Sequence, residues 1–367
     1  MKTSIILSGG AGRILTAIPA LEAYVYQTCG EVRIFTYGWS ELFLGNPTLQ
    51  NISFDINQKG NSEYLRQSKI ISPEPYFSRD YMNQDSNLVL AWGEVLDVEL
   101  DESAIEGSIY LSTLEQDFAS NAVESLKRQL NKNKVVVFQP YGSGAKLSGG
   151  KVMDSSNRSL PTDMVRQIGT ELSKVAGVIY FGPDEMFPEG APMANTKELV
   201  PNRDLRFWAA MIANSDGFIG IDSVGQHMAR AFDKKTSLIL GATFRENISY
   251  ETELVRTFRN PDFRSPTYVP IRLNTVDADL ADRMNDGIMN FSKEETDKII
   301  NDSIDHLELK PKKIDSATIN TFDYYKNYTS THQRNRPPET SVLMNENPST
   351  LGEYLKRRKE SEIKNAD

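Results

Sequence analysis

Gly217-Phe218-Ile219-Gly220-Ile221-Asp222-Ser223-Val224-Gly225-Gln226-His227-Met228-Ala229-Arg230-Ala231-Phe232, followed by Ser237-Leu238-Ile239-Leu240-Gly241-Ala242-Thr243, decides how this chain is read. An apolar run, a compact polar centre, an alanine-rich stretch and a second apolar run predict strand, turn, helix and strand, with the polar cluster at the first strand's carboxyl end. Open α/β sheets hold their ligands at that end. Asp222, Ser223 and Gly225 suit a tight turn at a helix start, where free backbone N–H groups and the positive end of the helix dipole attract an anion such as a diphosphate. His227 falls in the first helical turn, aimed at the same pocket.

Composition frames that motif. The 367 residues suffice for two domains of ordinary size, and 39% hydrophobic with 25% charged residues describes a soluble globular protein. No apolar run approaches the length of a membrane span, so no integral membrane association is expected. The glycines of Met1-Lys2-Thr3-Ser4-Ile5-Ile6-Leu7-Ser8-Gly9-Gly10 end its apolar run too early for a signal peptide. It reads as the first strand, and the protein as cytoplasmic. The single cysteine, Cys29, excludes an intrachain disulfide and a cysteine-rich metal site, and reads as a small buried hydrophobe closing the first helix. A net charge of −9 argues against bulk affinity for nucleic acid. His227, His306 and His332 lie far apart with no metal-ligand spacing.

Strand one runs into a glycine-rich turn, Gly9-Gly10-Ala11-Gly12-Arg13, and a helical stretch from Ile14 to Tyr24. Strands are expected at 31–37 and 51–55, with a short helix between them. From Gln58 to Asn87 the chain is polar, aromatic and irregular, and such segments serve function or move. Its aromatic residues suit stacking on a sugar or base, or pinning the loop to the core. Leu88 to Asp101 is carboxylate-rich and reads as a solvated helix face. Leu114 to Lys132 is helical, 131–134 is the expected linker, and Val135-Val136-Val137-Phe138-Gln139-Pro140 is a β-branched strand running into Tyr141-Gly142-Ser143-Gly144-Ala145-Lys146. The segment 147–158 reads as a flexible flap, with Arg158 a candidate cation and Pro161 placed to open a helix. Further expected elements are a strand at 177–183, a helix at 203–213 whose Trp208 belongs to the core, and a helix at 293–306. Asp277-Ala278-Asp279 looks like a metal-binding Asp-x-Asp but opens a helix-like run, where acidic residues favour the dipole.

Residues 9–21, 138–146 and 217–243 together resemble heptosyltransferase-like (family 9-like) glycosyltransferases. In that family Asp-Ser/Thr-Gly-x-x-His-x-Ala-x-Ala follows a strand, and Gly-x-Thr follows the next. Here stand Asp222, Ser223, His227, Ala229 and Ala231, then Gly241 and Thr243, with Val224 where glycine is usual and the glycine shifted to Gly225. The family also opens on a Gly-rich turn and Leu-x-x-x-Pro-Ala-Leu, matched by residues 14–21. The resemblance implies an α/β protein of the GT-B architecture, two Rossmann-like domains facing across a cleft. Residues 1–132 would form the acceptor domain, 133–315 the nucleotide-sugar domain, and 316–367 an extension or tail. It implies a metal-independent transferase with no cofactor, moving a sugar from a nucleotide sugar to an acceptor hydroxyl. Gly142, Ser143, Lys146, Asp222, Ser223, Gly225, His227, Thr243 and Arg245 would contact the donor, and Gly10, Gly12 and Arg13 the acceptor side.

One departure bears on mechanism. The family places an aspartate, the proposed base, directly after the last glycine of the first turn, and here the residue is Arg13, which is permanently charged. Arg13 and Lys146 remain as cations able to offset phosphate charge, and Glu74, Asp80 or Glu94 could supply a replacement base. The family's usual acceptor is a lipopolysaccharide-type glycan. A protein, a small molecule, or a hydroxymethylated base in bacteriophage DNA is also open; DNA would need Lys127, Arg128, Lys132, Lys134 and the 356–359 cluster. A sugar-nucleotide epimerase and a non-catalytic nucleotide-sugar-binding protein share the architecture.

Overall fold

The computed structural model describes residues 2–195, 204–263 and 284–310. The Asp277-Ala278-Asp279 motif, His332, the 316–367 extension and its 356–359 basic cluster lie outside the described residues. Two compact units divide the chain, Met1–Pro311 and Lys312–Asp367, and every described residue belongs to the first.

The first half runs β1 (Lys2–Leu7), α1 (Ala11–Gln27), β2 (Glu31–Thr36), β3 (Ser53–Asp55), α2 (Asn61–Arg66), β4 (Lys69–Ile71), α3 (Arg79–Met82), α4 (Leu88–Leu96) and α5 (Thr113–Leu130). Its strands form one parallel sheet in the order β3-β2-β1-β4. The second half runs β5 (Val135–Gln139), β6 (Lys146–Ser148), β7 (Lys151–Met153), α6 (Thr162–Val175), β8 (Gly177–Tyr180), β9 (Ala194–Asn195), α7 (Leu205–Asn214), β10 (Gly217–Ile221), α8 (Val224–Ala231), β11 (Thr236–Leu240), α9 (Arg245–Ile248), β12 (Val255–Arg259) and α10 (Lys293–His306). Apart from the antiparallel β6–β7 hairpin, its strands make a parallel sheet in the order β12-β11-β10-β5-β8-β9.

Both orders reverse direction once. The reversal lies between β1 and β4 in the first sheet and between β5 and β10 in the second, and crevices open at such points beyond the strands' carboxyl ends. The residues that follow β1, β4, β5 and β10 are therefore the ones placed to meet a ligand. The strands between helices read as continuous apolar runs because both faces are covered: every residue of β5, β8, β10 and β11 is buried. Helices α5 and α10 start on capping boxes, Ser112 with Glu115 and Ser292 with Glu295.

One hydrophobic core passes from the first sheet to the second, joining Ile5, Ile14, Leu15 and Trp92 to Phe218, Met228 and Ala229. At its rim, Phe118 of α5 meets Phe207 of α7 edge-on, with ring centroids 5.0 Å apart. Arg206 of α7, only 6% exposed, reaches across the same seam. Its guanidinium donates to both oxygens of Glu115 at 2.6 and 2.8 Å and to the carbonyls of Glu41, Leu44 and Tyr110 at 3.1, 3.2 and 2.6 Å.

Several expectations need correction. The segment from Gln58 to Asn87 is not irregular: it contains α2, β4 and α3, short elements whose three to six residues leave little periodicity to read. Leu88–Leu96 is largely buried rather than a solvated face, since Leu88, Val89, Ala91, Trp92 and Leu96 pack inward and Glu94 is on the exposed side. Cys29 is exposed, because α1 ends before it and the chain leaves the core at Thr28. Part of the flap is ordered, as the β6–β7 hairpin and the turn that follows. Trp208 stacks on Phe181 with ring centroids 4.4 Å apart, as a core residue would. Of the lysines that could face DNA, Lys127 and Lys134 pair with Asp216 at 3.4 and 3.2 Å, and Lys132 donates to the Lys174 carbonyl at 2.7 Å.

Candidate active site

At the second sheet's reversal, β10 delivers Asp222 and then Ser223, which caps α8 by accepting from the Gly225 N–H at 3.4 Å. A Cβ on Gly225 would stand 2.1 Å from Gln139 Oε1 and 2.7 Å from the Phe218 ring. That approach explains the shifted glycine: position 225 lies against the end of β5 and has no room for a side chain, whereas Val224 opens the helix without such a conflict. Arg158 comes from the turn before α6. Its Nη1 lies 3.4 Å from the Asp222 carbonyl and 3.5 Å from Asp222 Oδ2, while its Nε donates to Ser156 Oγ at 3.1 Å. Asp154 builds that turn, accepting from the backbone N–H and hydroxyl of Ser156 and of Ser159. Burial pushes the Asp154 carboxyl up, but these hydrogen bonds and Arg158 outweigh it and hold the group below its usual range. Ser159 Oγ in turn accepts from the Gly142 N–H at 3.0 Å, tying the turn to the loop after β5.

His227 is buried beneath this cluster, with Nδ1 2.7 Å from the Tyr250 hydroxyl and Nε2 3.3 Å from Gln226 Nε2. Burial pushes its pKa down to about 4, against the opposing pull of Asp222, so the ring is neutral at physiological pH. It therefore acts as a hydrogen-bonding group and a packing surface, not as a cation. Because the unfolded imidazole titrates near 6.5, the unfolded state takes up the proton first as pH falls. Stability is thus fully present above about pH 6.5 and is lost between about 6.5 and 4, by roughly 3 kcal/mol from this residue alone. Urea unfolding of the native protein and His227→Gln at pH 7 and pH 5 should show a smaller loss in the variant; parallel losses would refute the assignment.

The first sheet presents its own pair. Gly9 has φ +105°, and a Cβ there would lie 2.8 Å from Arg13 Cδ, so glycine both permits the turn and makes room for the arginine. Arg13 Nη2 donates to Glu74 Oε2 at 2.9 Å, and its guanidinium carbon sits 5.1 Å from the Tyr76 ring centroid and 5.5 Å from that of Trp92. Trp92 Nε1 anchors the start of α1 by donating to the Arg13 carbonyl at 3.2 Å. Glu74 arrives three residues after β4, the other strand at this reversal.

The two reversals meet. A Cβ on Gly12, in the first turn of α1, would lie 3.1 Å from His227 Cδ2 and 3.5 Å from the Val224 Cα. The Tyr76 hydroxyl is raised above its ordinary range, first by burial, and it feels Arg13, Asp222, Arg158 and Glu74 together. Arg13 of the first ion pair lies over the Tyr76 ring, and both pairs, Arg13–Glu74 and Arg158–Asp222, act on the charge of this one tyrosine.

The other expected residues are distributed around this centre. Gly10 is the N-cap of α1. Lys146 opens the exposed β6–β7 hairpin, and Ser143 is exposed just before it. Thr243 is buried, with its hydroxyl unbonded among the described residues and its carbonyl accepting from Arg259, while Arg245 starts α9 on the surface. Asp80 is exposed in the first turn of α3. Glu94 holds the start of that helix, accepting from the Ser78 hydroxyl and from the N–H groups of Arg79 and Asp80 at 2.9 and 3.4 Å; the Ser78 bond is the chief cause that keeps its carboxyl below the usual range. Tyr76 is one of the aromatic residues of the 58–87 segment that suit sugar or base stacking, whereas Tyr250 belongs to no motif and reaches the centre through packing. Among the described residues, no group of three or more His, Cys, Asp or Glu side chains is arranged to hold a metal, and no helix is long and apolar enough to cross a membrane.

No protein-family model matches the sequence, and neither does any curated protein. Solved structures do. A glycosyltransferase family 9 protein from Veillonella parvula superimposes with a TM-score of 0.58 at 11% identity, covering 84% of this chain and 97% of that one. TibC of enterotoxigenic Escherichia coli, a dodecameric iron-containing heptosyltransferase solved with ADP-D-β-D-heptose, superimposes with a TM-score of 0.51 at 15% identity, covering 84% of this chain and 78% of its own. The chain has the GT-B fold of the heptosyltransferase-like glycosyltransferases.

Proposed function

We propose that this protein is a glycosyltransferase that takes a nucleotide sugar in its second half, 133–315, and an acceptor hydroxyl in its first, 1–132. The observation that carries the reading is the meeting of the two sheet reversals where Gly12 lies against His227 and Val224: a capped helix N-terminus with Arg158 on one side, and the Arg13–Glu74 pair on the other. The N-terminus of α8 and the Arg158 guanidinium suit a diphosphate, whose charge grows as the glycosidic bond breaks. In this reading Arg158, rather than a metal ion, offsets that charge. Gly142, Ser143, Thr243 and Arg245 frame the same end of the sheet, and Lys146 lies on a hairpin able to approach from outside.

Asp222 fixes Arg158, and His227 with Tyr250 supports the turn from below. Calorimetric titration with a panel of UDP-, GDP-, ADP- and CMP-sugars should find at least one that binds. Asp222→Ala and His227→Ala should then weaken it by about 10-fold or more, the scale of one lost hydrogen bond to a charged group. Unchanged affinity in both variants, with the fold intact, would remove the donor site from this place.

A further inference from the structure

We propose that Glu74 is the general base that activates the acceptor hydroxyl, a role that rests on the glycosyl-transfer reading above. The turn after β1 carries a cation, Arg13, so the strand that supplies the carboxylate must be a different one. Strand β4 is that strand: it borders β1 at the reversal and brings Glu74 to the spot that Arg13 points to, 2.9 Å away.

The geometry divides the carboxylate's two oxygens. Oε2 is bonded to Arg13, while Oε1 is buried and has no hydrogen-bond partner among the described residues, on a side chain that is 28% exposed as a whole. A buried carboxylate oxygen without a donor is costly in a merely structural ion pair, whereas a base keeps such a lone pair free for the O–H it receives from its substrate. Arg13 is the positioning residue. Its guanidinium lies beside both Tyr76 and Trp92, and Trp92 also bonds its backbone, so the carboxylate is held in a fixed orientation. The rival carboxylates are placed for other tasks: Glu94 accepts three hydrogen bonds at the start of α3, and Asp80 faces solvent.

In the transfer step the acceptor's hydroxyl proton passes to Glu74 Oε1 as the hydroxyl oxygen bonds to the anomeric carbon of the donor. The bond from that carbon to the diphosphate oxygen breaks, and its electron pair leaves with the nucleoside diphosphate toward Arg158 and the start of α8. The proton on Glu74 then returns to solvent.

The test measures nucleotide release from the UDP-, GDP-, ADP- and CMP-sugar panel, with lipopolysaccharide core, glycan and hydroxymethylcytosine DNA as acceptors, alongside calorimetric donor affinity. Glu74→Gln keeps an acceptor oxygen for Arg13 but loses basicity. It is expected to lower kcat by about 100- to 10,000-fold while donor Kd stays within about threefold. Glu74→Asp should recover part of the rate, and formate should restore turnover to Glu74→Gly, which a structural role would not produce. A Glu74→Gln enzyme with more than about a third of native kcat, or Glu74→Gly unmoved by formate with Glu74→Asp no better than Glu74→Gln, would overturn the assignment while leaving transfer standing. Absence of release by the native protein with every donor and acceptor would overturn both.

Discussion

Arg206→Ala is expected to destabilise the protein by about 3–5 kcal/mol, the cost of breaking a buried charge pair from one side. The guanidinium satisfies five acceptors at once, the Glu115 carboxylate twice and three backbone carbonyls, across the seam between α7 and the first half of the chain. Burial pushes the Glu115 carboxyl up, and Arg206 is the first of the interactions that reverse this shift and hold it low. Without Arg206 that carboxylate is left with the α5 cap, the Glu41 carbonyl keeps the Leu44 N–H at 3.2 Å, and the carbonyls of Leu44 and Tyr110 lose the donor that Arg206 supplied. Arg206→Lys should recover little, because an ammonium is a point donor and cannot span the fork. Urea unfolding reads the effect directly, and a loss below about 1 kcal/mol would mean that water enters the seam and replaces the arginine.

Arg158→Ala is expected to weaken nucleotide-sugar binding by about 10- to 100-fold and to lower the rate further, since a cation beside the leaving diphosphate is worth more as charge develops. Arg158 is 29% exposed and reaches the cleft over Asp222, so its removal should cost far less in stability than that of Arg206. The two residues are coupled through one contact. Asp222→Ala frees Arg158 to move, so the double variant should bind donor about as poorly as Arg158→Ala alone. Additive losses in the cycle would show that Asp222 and Arg158 act on the donor separately, and an unaffected Kd in Arg158→Ala would place the diphosphate elsewhere.

The parts of this protein that were legible in its sequence are those with a strong local pattern. Apolar runs such as 135–139 and 217–221 are strands because both sheet faces are covered, and Asp222-Ser223 before an alanine-rich stretch is a helix start because a side-chain oxygen must cap it. Strand β4 was hidden for the opposite reason. Three residues on a sheet edge, with Lys69 and Ile70 exposed, carry no periodicity, and with it went the means to prefer Glu74 among the carboxylates. Tyr250 and Arg206 belong to no motif. They became functional or structural residues only when distant segments met, Arg206 with Glu115 over 91 positions and Arg13 with Glu74 over 61. Cys29 was misread because composition says that cysteine favours interiors, while the local end of α1 decides that this one does not.

The departures from the family pattern are the most informative positions. Val224 and Gly225 stand in the reverse of the usual order with the turn intact, and position 225, which lies against Gln139 at the end of β5, is the one that holds the glycine. Arg13 replaces a carboxylate, yet the structure returns a carboxylate to its side from the neighbouring strand. Charge at the first reversal is thus kept as a pair, and the second reversal carries a matching pair in Arg158 and Asp222.

If these two reversals form a transferase cleft, nucleotide release from the donor depends on an acceptor. Each donor of the UDP, GDP, ADP and CMP series would be incubated with the native protein, with and without acceptor and with and without EDTA. Release is expected from one donor class, requiring an acceptor, surviving EDTA, and yielding an acceptor heavier by one sugar. A donor that binds and changes configuration without any acceptor, or that binds and is never turned over, would contradict it.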